Sequence, residues 1–451
     1  MRTLLEAAAQ RAIRYLETRD ARPVAPTAAA VAGLAALDEP TPERPTPPER
    51  VLEVLDEVCT PATMAISGGR FFGFVMGGAF PVGVAANWLA TAWHQNTGLR
   101  APTPATATLE DVATRWLLDL LGLPADCAAG FVTGATMANL TALAAARHAV
   151  LARAGWDVEA DGLFGAPPIT VLIGEEGHPT VFKSLGVLGL GRARVVKVPV
   201  DGQGRMRADA LPAVSGPTIV IAQAGNINTG AIDPIGEICA RVHSAGAWVH
   251  VDGAFGLWAA AAPSTRPMIA GYEQADSWAT DFHKWLNVPY DSGVALVRDA
   301  AALRGAMAVT AAYLTPGGQR HNPSDHTPEL SRRARGVEVW AVLKALGRPG
   351  VAALVENACA RARQFADGLR AAGYEILNDV VLNQVMVSFG DAATTERVIA
   401  AIQADGTCWC GGTVWRGRTA MRISVSSAAT TPEEAERSLA AMLRCARGVA
   451  R

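Results

Sequence analysis

The chain has 451 residues, half of them hydrophobic and 18% charged, which is material for two or three domains around a sizeable core. Its 40 basic and 42 acidic side chains give a net charge of −2, which argues against binding to a nucleic-acid phosphate backbone, because that needs a basic excess or patch. No apolar run reaches the roughly 18 residues of a membrane span, and the N-terminus lacks the unbroken apolar core of a signal peptide. Seven thinly spread cysteines make no disulfide framework, and Cys408 and Cys410 stand too close for the usual zinc spacing. The expectation is a cytoplasmic protein with no metal site, no membrane contact and no nucleic-acid partner.

Leu4, Leu5, Ala8, Ala12 and Leu16 fall near helical spacing and predict a helix over residues 2–18. The stretch EPTPERPTPPER (39–50) reads as an extended surface connector. From residue 108 to 300, helical patterns alternate with short β-branched runs. TLEDVATRWLLDLLGL and ATMANLTALAAARHAVLARAG are helical. Strands are expected at ITVLI (169–173), RVVKVPV (194–200), TIVIA (218–222), AWVHV (247–251), DSWAT (276–280) and GVALV (293–297), with DPIGEICARVHSAG as a helix between the third and fourth. This alternation predicts an α/β domain with a mostly parallel sheet. After residue 345 the pattern restarts with a long helix to about 372, strands near YEIL, QVMVSF and AMRISVS, and a last helix from Thr431, a second and smaller α/β unit. The expected division is an N-terminal helical segment with its proline-rich linker (1–75), a large domain (76–340) and a small C-terminal domain (341–451).

Ligands of open α/β sheets bind beyond the carboxyl ends of the strands. The predicted strand ends deliver His178, then Gln223 and Asn226, then Asp252 with the small Gly253 and Ala254, then His283 and Lys284. A single histidine after a strand is ordinarily a hydrogen-bonded loop residue, and Asp252 alone could be a helix cap. The joint placement on one rim is harder to dismiss. GFVTGATMANL runs from an apolar segment through glycine and two threonines into a helix, where free N–H groups and the helix dipole favour an anion. The alternative there is that Thr133 or Thr136 merely caps the helix. Neither the dinucleotide nor the P-loop glycine pattern is present.

Pyridoxal phosphate needs a lysine for its Schiff base, a carboxylate to keep the pyridine nitrogen protonated, a stacking side chain and a phosphate anchor. The apolar, aromatic surroundings of Lys284 disfavour an ammonium ion, so its amine is expected to give up a proton readily.

FVTGATMANLTALAAAR, EEGHPTVFKSL, HVDGAF and DFHKWLNVPYDSG, in that order, resemble the group II pyridoxal-phosphate decarboxylases, the family of aromatic-amino-acid, glutamate, histidine and tyrosine decarboxylases. The similarity runs from RFFGFVMGGAFP (70–81) to the C-terminus and is strongest to bacterial members. It implies fold type I (aspartate-aminotransferase-like), with a mostly parallel seven-stranded sheet in the large domain, and a homodimer with active sites at the interface. It makes Lys284 the Schiff-base lysine and Asp252 the partner of the pyridinium nitrogen, with Ala254 packed on one ring face and His178 on the other. Ala135, Thr136 and His283 fall near the phosphate, Asn226 joins the cofactor set, and Ser331 reaches the phosphate from the neighbouring subunit. Arg422 matches an arginine for the substrate carboxylate, and Phe74 and Asn96 match the side-chain pocket.

Two departures bear on chemistry. Asp281 stands where animal relatives carry asparagine, and it is not assigned to the phosphate because an anion there is unfavourable. His326 occupies the place of a loop tyrosine that protonates the α-carbon in many relatives. Histidine can act as a general acid near neutral pH, but relatives without the tyrosine can divert the quinonoid to oxygen and release an aldehyde. Gln95, Asn96, Thr97 and Gly98 with Arg100 suggest a polar or acidic substrate, unless Arg100 faces solvent or an ion pair. The expected activity is decarboxylation of an L-amino acid to its amine. The alternatives are the aldehyde-forming variant, and an aldolase or transaminase on the same cofactor.

Overall fold

The computed structural model describes residues 1–309 and 321–449. The apolar runs form one sheet: β1 (Ala128–Val132), β2 (Thr170–Gly174), β3 (Val196–Val198), β4 (Thr218–Gln223), β5 (Trp248–Asp252), β6 (Ser277–Asp281) and β7 (Gly293–Val297). Their order is β1-β7-β6-β5-β4-β2-β3. The strands from β3 across to β6 pair in parallel, and β7 alone runs antiparallel to both its neighbours. Every residue of β5, β6 and β7 is buried. Strands covered on both faces read as continuous apolar runs rather than alternating ones, which is why these segments stand out in the sequence. Successive residues still divide between the two faces. Val171, Ile173, Ile219 and Ile221 pack on one side, Leu172, Val220, Val249 and Val251 on the other.

Helix Ala135–Arg153 lies across β5, β6 and β7 on the first of these faces. Its buried alanines, Ala138, Ala142, Ala145 and Ala146, present little side-chain bulk, so its backbone runs close to the sheet. This brings the N-terminus of the helix to the same rim as the carboxyl ends of β5 and β6.

The C-terminal unit holds β8 (Glu375–Ile376), β9 (Gln384–Ser388), β10 (Gly411–Trp415) and β11 (Arg418–Ser424) in an antiparallel sheet of order β10-β11-β9-β8. β10 has no counterpart among the expected strands, because its opening Gly411-Gly412 carries no β-propensity. The Arg416-Gly417 turn, with φ of 51° and 75°, closes the hairpin with β11.

The long helix spans Gly336–Ala371, starting earlier than the sequence pattern indicates, and it is broken at Gly347 (φ 59°, ψ −179°). Gly347 takes a positive φ that glycine adopts at little steric cost, and Pro349, which lacks an N–H, falls in the first turn after the break. The expected boundary at residue 340 therefore lies inside the first part of this helix. At the N-terminus the helix Arg2–Thr18 forms as expected, and the proline-rich stretch is exposed throughout, but its last three residues are helical rather than extended because Pro48 opens the helix Pro48–Val54. No helix among the described residues is long and apolar enough to cross a membrane.

Candidate active site

A cavity of about 380 Å³ opens at the carboxyl rim of the large sheet. Thr133, Gly134, Ala135 and Thr136 line it from the β1–helix junction, His178 from the turn after β2, Asp252 and Ala254 from β5, and Asp281, His283 and Lys284 from β6. Adjacent parallel strands thus bring together the acid and the lysine, although 31 residues separate them in the chain.

Asp281 is the residue whose part the sequence leaves unassigned. Its carboxylate is buried and bridges three groups. One oxygen lies 2.8 Å from Lys284 Nζ; the other accepts the Ala135 N–H at 2.5 Å and lies 3.3 Å from His283 Nε2. The lysine therefore has an anionic partner, which the expected apolar setting did not include. His283 Nδ1 accepts the Ser292 N–H at 3.1 Å, so a neutral ring carries its hydrogen on Nε2, facing Asp281. The Tyr290 ring stacks on His283 at 4.2 Å, and burial holds the imidazole below its ordinary range.

Asp252 is buried, and burial raises its carboxyl above the usual range; His178, Lys284, the Ala254 N–H and the Asn139 amide oppose this and favour the charge. The Ala254 N–H stands 3.2 Å from Oδ1, whereas the Asn139 amide nitrogen closes no full hydrogen bond. His178 caps the helix Pro179–Val187, and its Nδ1 pairs with the Thr180 hydroxyl at 2.7 Å. Burial lowers its proton affinity, with the Asp252 charge acting in the opposite sense.

The loop carrying Lys284 is pinned from behind by Asn287. This buried residue has φ 55°, a left-handed conformation that asparagine tolerates better than most. Its Oδ1 accepts the N–H groups of Gly78 (2.7 Å) and Ala428 (2.9 Å), and its Nδ2 donates to the carbonyls of Trp285 and Ser426, both at 2.9 Å. The segment RFFGFVMGGAFP passes directly under the lysine, where a Cβ on Gly77 would fall 1.8 Å from the Lys284 carbonyl oxygen. At the other end of the cavity a Cβ on Gly134 would come within 2.8 Å of the His283 ring. Both positions need glycine for close approach.

Several expected residues lie elsewhere in the chain. The Asn226 amide is used in a turn, accepting from the N–H groups of Asn228 and Thr229 and donating to Glu176. Arg100 grips Asp111 through two bonds of 2.9 Å and also reaches the His321 carbonyl, so its guanidinium is committed to an ion pair. His326 lines a separate cavity with Arg100; its Nδ1 faces the Ala129 carbonyl at 3.3 Å, and burial drives its pKa down to about 4. Ser331 and Asn96 are exposed and bond to each other at 3.3 Å. Phe74 is 60% exposed and stacks on Trp409. Arg422, on β11, donates to the carbonyl of the cavity-lining Ile227 at 3.1 Å, and burial lowers its pKa to about 10. The Arg100–Asp111 pair has a local signal, eleven residues apart across a helix start, but nothing in the sequence orients it.

The donor set fits pyridoxal phosphate. A helix N-terminus with threonines on both sides can take a phosphate, a primary amine can take an aldehyde, and a buried carboxylate on the next strand can take a protonated ring nitrogen. Fold and cavity together define a fold-type-I enzyme of this coenzyme.

Comparison with known proteins agrees. Residues 32–389 match the family model described as the pyridoxal-dependent decarboxylase conserved domain. The L-2,4-diaminobutyrate decarboxylase of Rhizobium meliloti (strain 1021) is 31% identical over 388 residues, covering 81% of this chain and 75% of that protein. The aromatic-L-amino-acid decarboxylase of Bacillus atrophaeus is 28% identical over 427 residues, covering 88% and 85%. The crystal structure of Oryza sativa TDC with PLP and tryptamine superposes with a TM-score of 0.91 at 22% identity, covering 99% of this chain and 97% of that one, a match that speaks for the fold. The chain belongs to the pyridoxal-dependent decarboxylases. Its cofactor is pyridoxal phosphate, and it is a carboxy-lyase of amino acids.

Proposed function

We propose that the protein removes the α-carboxylate of an L-amino acid and releases the corresponding amine, as a homodimer whose sites lie at the interface. The observation that carries this reading is the placement of Lys284 and Asp252 on neighbouring strand ends around one cavity, with His178 on its wall. Bound pyridoxal phosphate supplies an aldehyde for amine capture and a ring that withdraws electrons from the α-carbon. Lys284 Nζ would take the aldehyde, Asp252 would pair with the protonated ring nitrogen, and His178 and Ala254 would flank the ring. The Thr136 hydroxyl would orient the phosphate beside His283, whereas the Ala135 N–H expected to join it is held by Asp281. Arg422, which donates to the carbonyl of the cavity-lining Ile227, would bind the substrate carboxylate. The exposure of Ser331 and Asn96, both matched by resemblance to cofactor or substrate contacts, supports a site completed by a second copy.

Arg100 does not argue for an acidic substrate, since Asp111 already holds it. Names among the relatives span diamino, aromatic and acidic amino acids, so these classes form the screen. The test presents each amino acid to the cofactor-loaded protein and measures carbon dioxide, amine, aldehyde, peroxide and keto acid together. Carbon dioxide with equimolar amine is expected. Aldehyde with peroxide would transfer the protein to the oxidative variant, and keto acid without carbon dioxide would overturn decarboxylation.

A further inference from the structure

Behind Asp252 the core contains a polar thread that the proposed chemistry does not use. Trp248, His250 and Ser277 sit on β5 and β6, and Asn139 on the covering helix; none is more than 1% exposed. The Trp248 indole donates to Ser277 Oγ at 2.8 Å, Ser277 Oγ lies 2.9 Å from His250 Nδ1, and His250 Nε2 lies 2.8 Å from Asn139 Oδ1.

The direction of this thread is read from its Asn139 end. An amide oxygen can only accept, so His250 carries a hydrogen on Nε2 and gives it to Asn139 Oδ1. Complete burial keeps that ring neutral, with its pKa lowered to about 3, so Nδ1 accepts the Ser277 hydrogen while the Ser277 oxygen accepts from the Trp248 indole. With its oxygen on His250, the Asn139 amide turns its NH2 away from that ring. That NH2 has no hydrogen bond of its own, and the charge it favours is that of Asp252.

We propose that Asn139 and His250 are positioning residues that aim an N–H at Asp252 and keep its carboxylate charged and oriented toward the coenzyme's ring nitrogen. This rests on the proposed role of Asp252. Across the cavity, His178 and Lys284 are the other titratable groups facing that carboxylate, so the thread supplies the support from the core side. A merely structural thread would need only the oxygen that Asn139 turns to His250.

Asn139→Asp separates the two. It preserves an oxygen for His250 and replaces the donor facing Asp252 with a second acceptor. At pH 8 the dissociation constant for pyridoxal phosphate, measured by equilibrium dialysis, should rise by more than about tenfold, as for a donor beside a buried charge replaced by an acceptor. At pH 5.5 most of the affinity should return, since the introduced carboxyl, once protonated, donates as the amide did. The pH at which the bound coenzyme's long-wavelength absorbance titrates should move with it. Trp248→Phe, which frees Ser277 to turn its hydrogen away, should raise the constant about two- to fivefold. Asp252→Asn is measured alongside. If it retains full affinity, the assignment of Asp252 itself fails. If it loses affinity while Asn139→Asp binds like the natural protein at both pH values, or, should that variant not fold, while Trp248→Phe does so, the positioning role alone is overturned.

Discussion

The Lys284 ammonium and the Asp281 carboxylate, three residues apart around the end of β6, stand 2.8 Å from each other. Lys284→Ala should lower turnover by more than about a thousandfold through loss of the nucleophile. It should also lower the melting temperature of the cofactor-free protein, because a buried carboxylate loses its cation. Lys284→Arg should restore much of the melting temperature and none of the turnover. Calorimetry and carbon dioxide release on the same samples check both; equal melting of the alanine variant and the natural protein would deny the ion pair a stabilising role.

Asp252 should show the opposite sign in stability. Burial raises its folded-state proton affinity, so the stability it contributes is present at low pH and is lost as pH rises through the folded-state value. Asp252→Asn should therefore melt higher than the natural protein without coenzyme at pH 8. Coenzyme affinity should fall by more than about tenfold in the same variant, given the loss of a charge-assisted bond. The pair of measurements exposes a trade between function and stability at one residue.

Asn287 makes its contacts to three segments through one amide. Asn287→Ala strands two N–H groups and two carbonyls and places alanine at φ 55°, so a loss of about 3–5 kcal/mol in urea unfolding is expected. A loss below about 1 kcal/mol would mean that water replaces these bonds.

His326 should shape acid stability. Its folded pKa near 4 lies below the roughly 6.5 of an unfolded imidazole, so the stability it contributes above pH 6.5 drains away as pH falls toward 4. His326→Gln should narrow the difference between urea midpoints at pH 7 and pH 4.5. With its ring turned to Ala129, the same substitution should leave the amine-to-aldehyde ratio unchanged; a shifted ratio would restore it to the reaction.

Arg100→Ala should cost about 1 kcal/mol of stability through the lost Asp111 pair. The ratio of KM values for acidic and aromatic amino acids should not move. A KM that rises for acidic substrates alone would bring Arg100 back into the pocket.

The rim was legible because its residues follow strands whose apolar runs are unbroken. Asp252 closes β5, while His178, His283 and Lys284 stand within four residues of the ends of β2 and β6, and strand adjacency does the rest. Asp281 sat in plain view in the same motif, yet its function as a clamp depends on the Ala135 N–H, 146 residues away, which no local pattern encodes. The committed amides of Asn226 and Asn287 and the Arg100–Asp111 pair were hidden for the same reason: hydrogen-bond partners are chosen by tertiary placement. β10 was missed because two glycines head a strand that the hairpin turn and β11 hold in place.

The glycine crossing under the lysine has a consequence for any shortened form of this enzyme. A chain begun just after Phe80 would retain every polar group on the rim, but the Lys284 carbonyl would lose its cover and Asn287 would lose a bond that spans 209 residues. Such a fragment would own the right nucleophile without a seat to hold it.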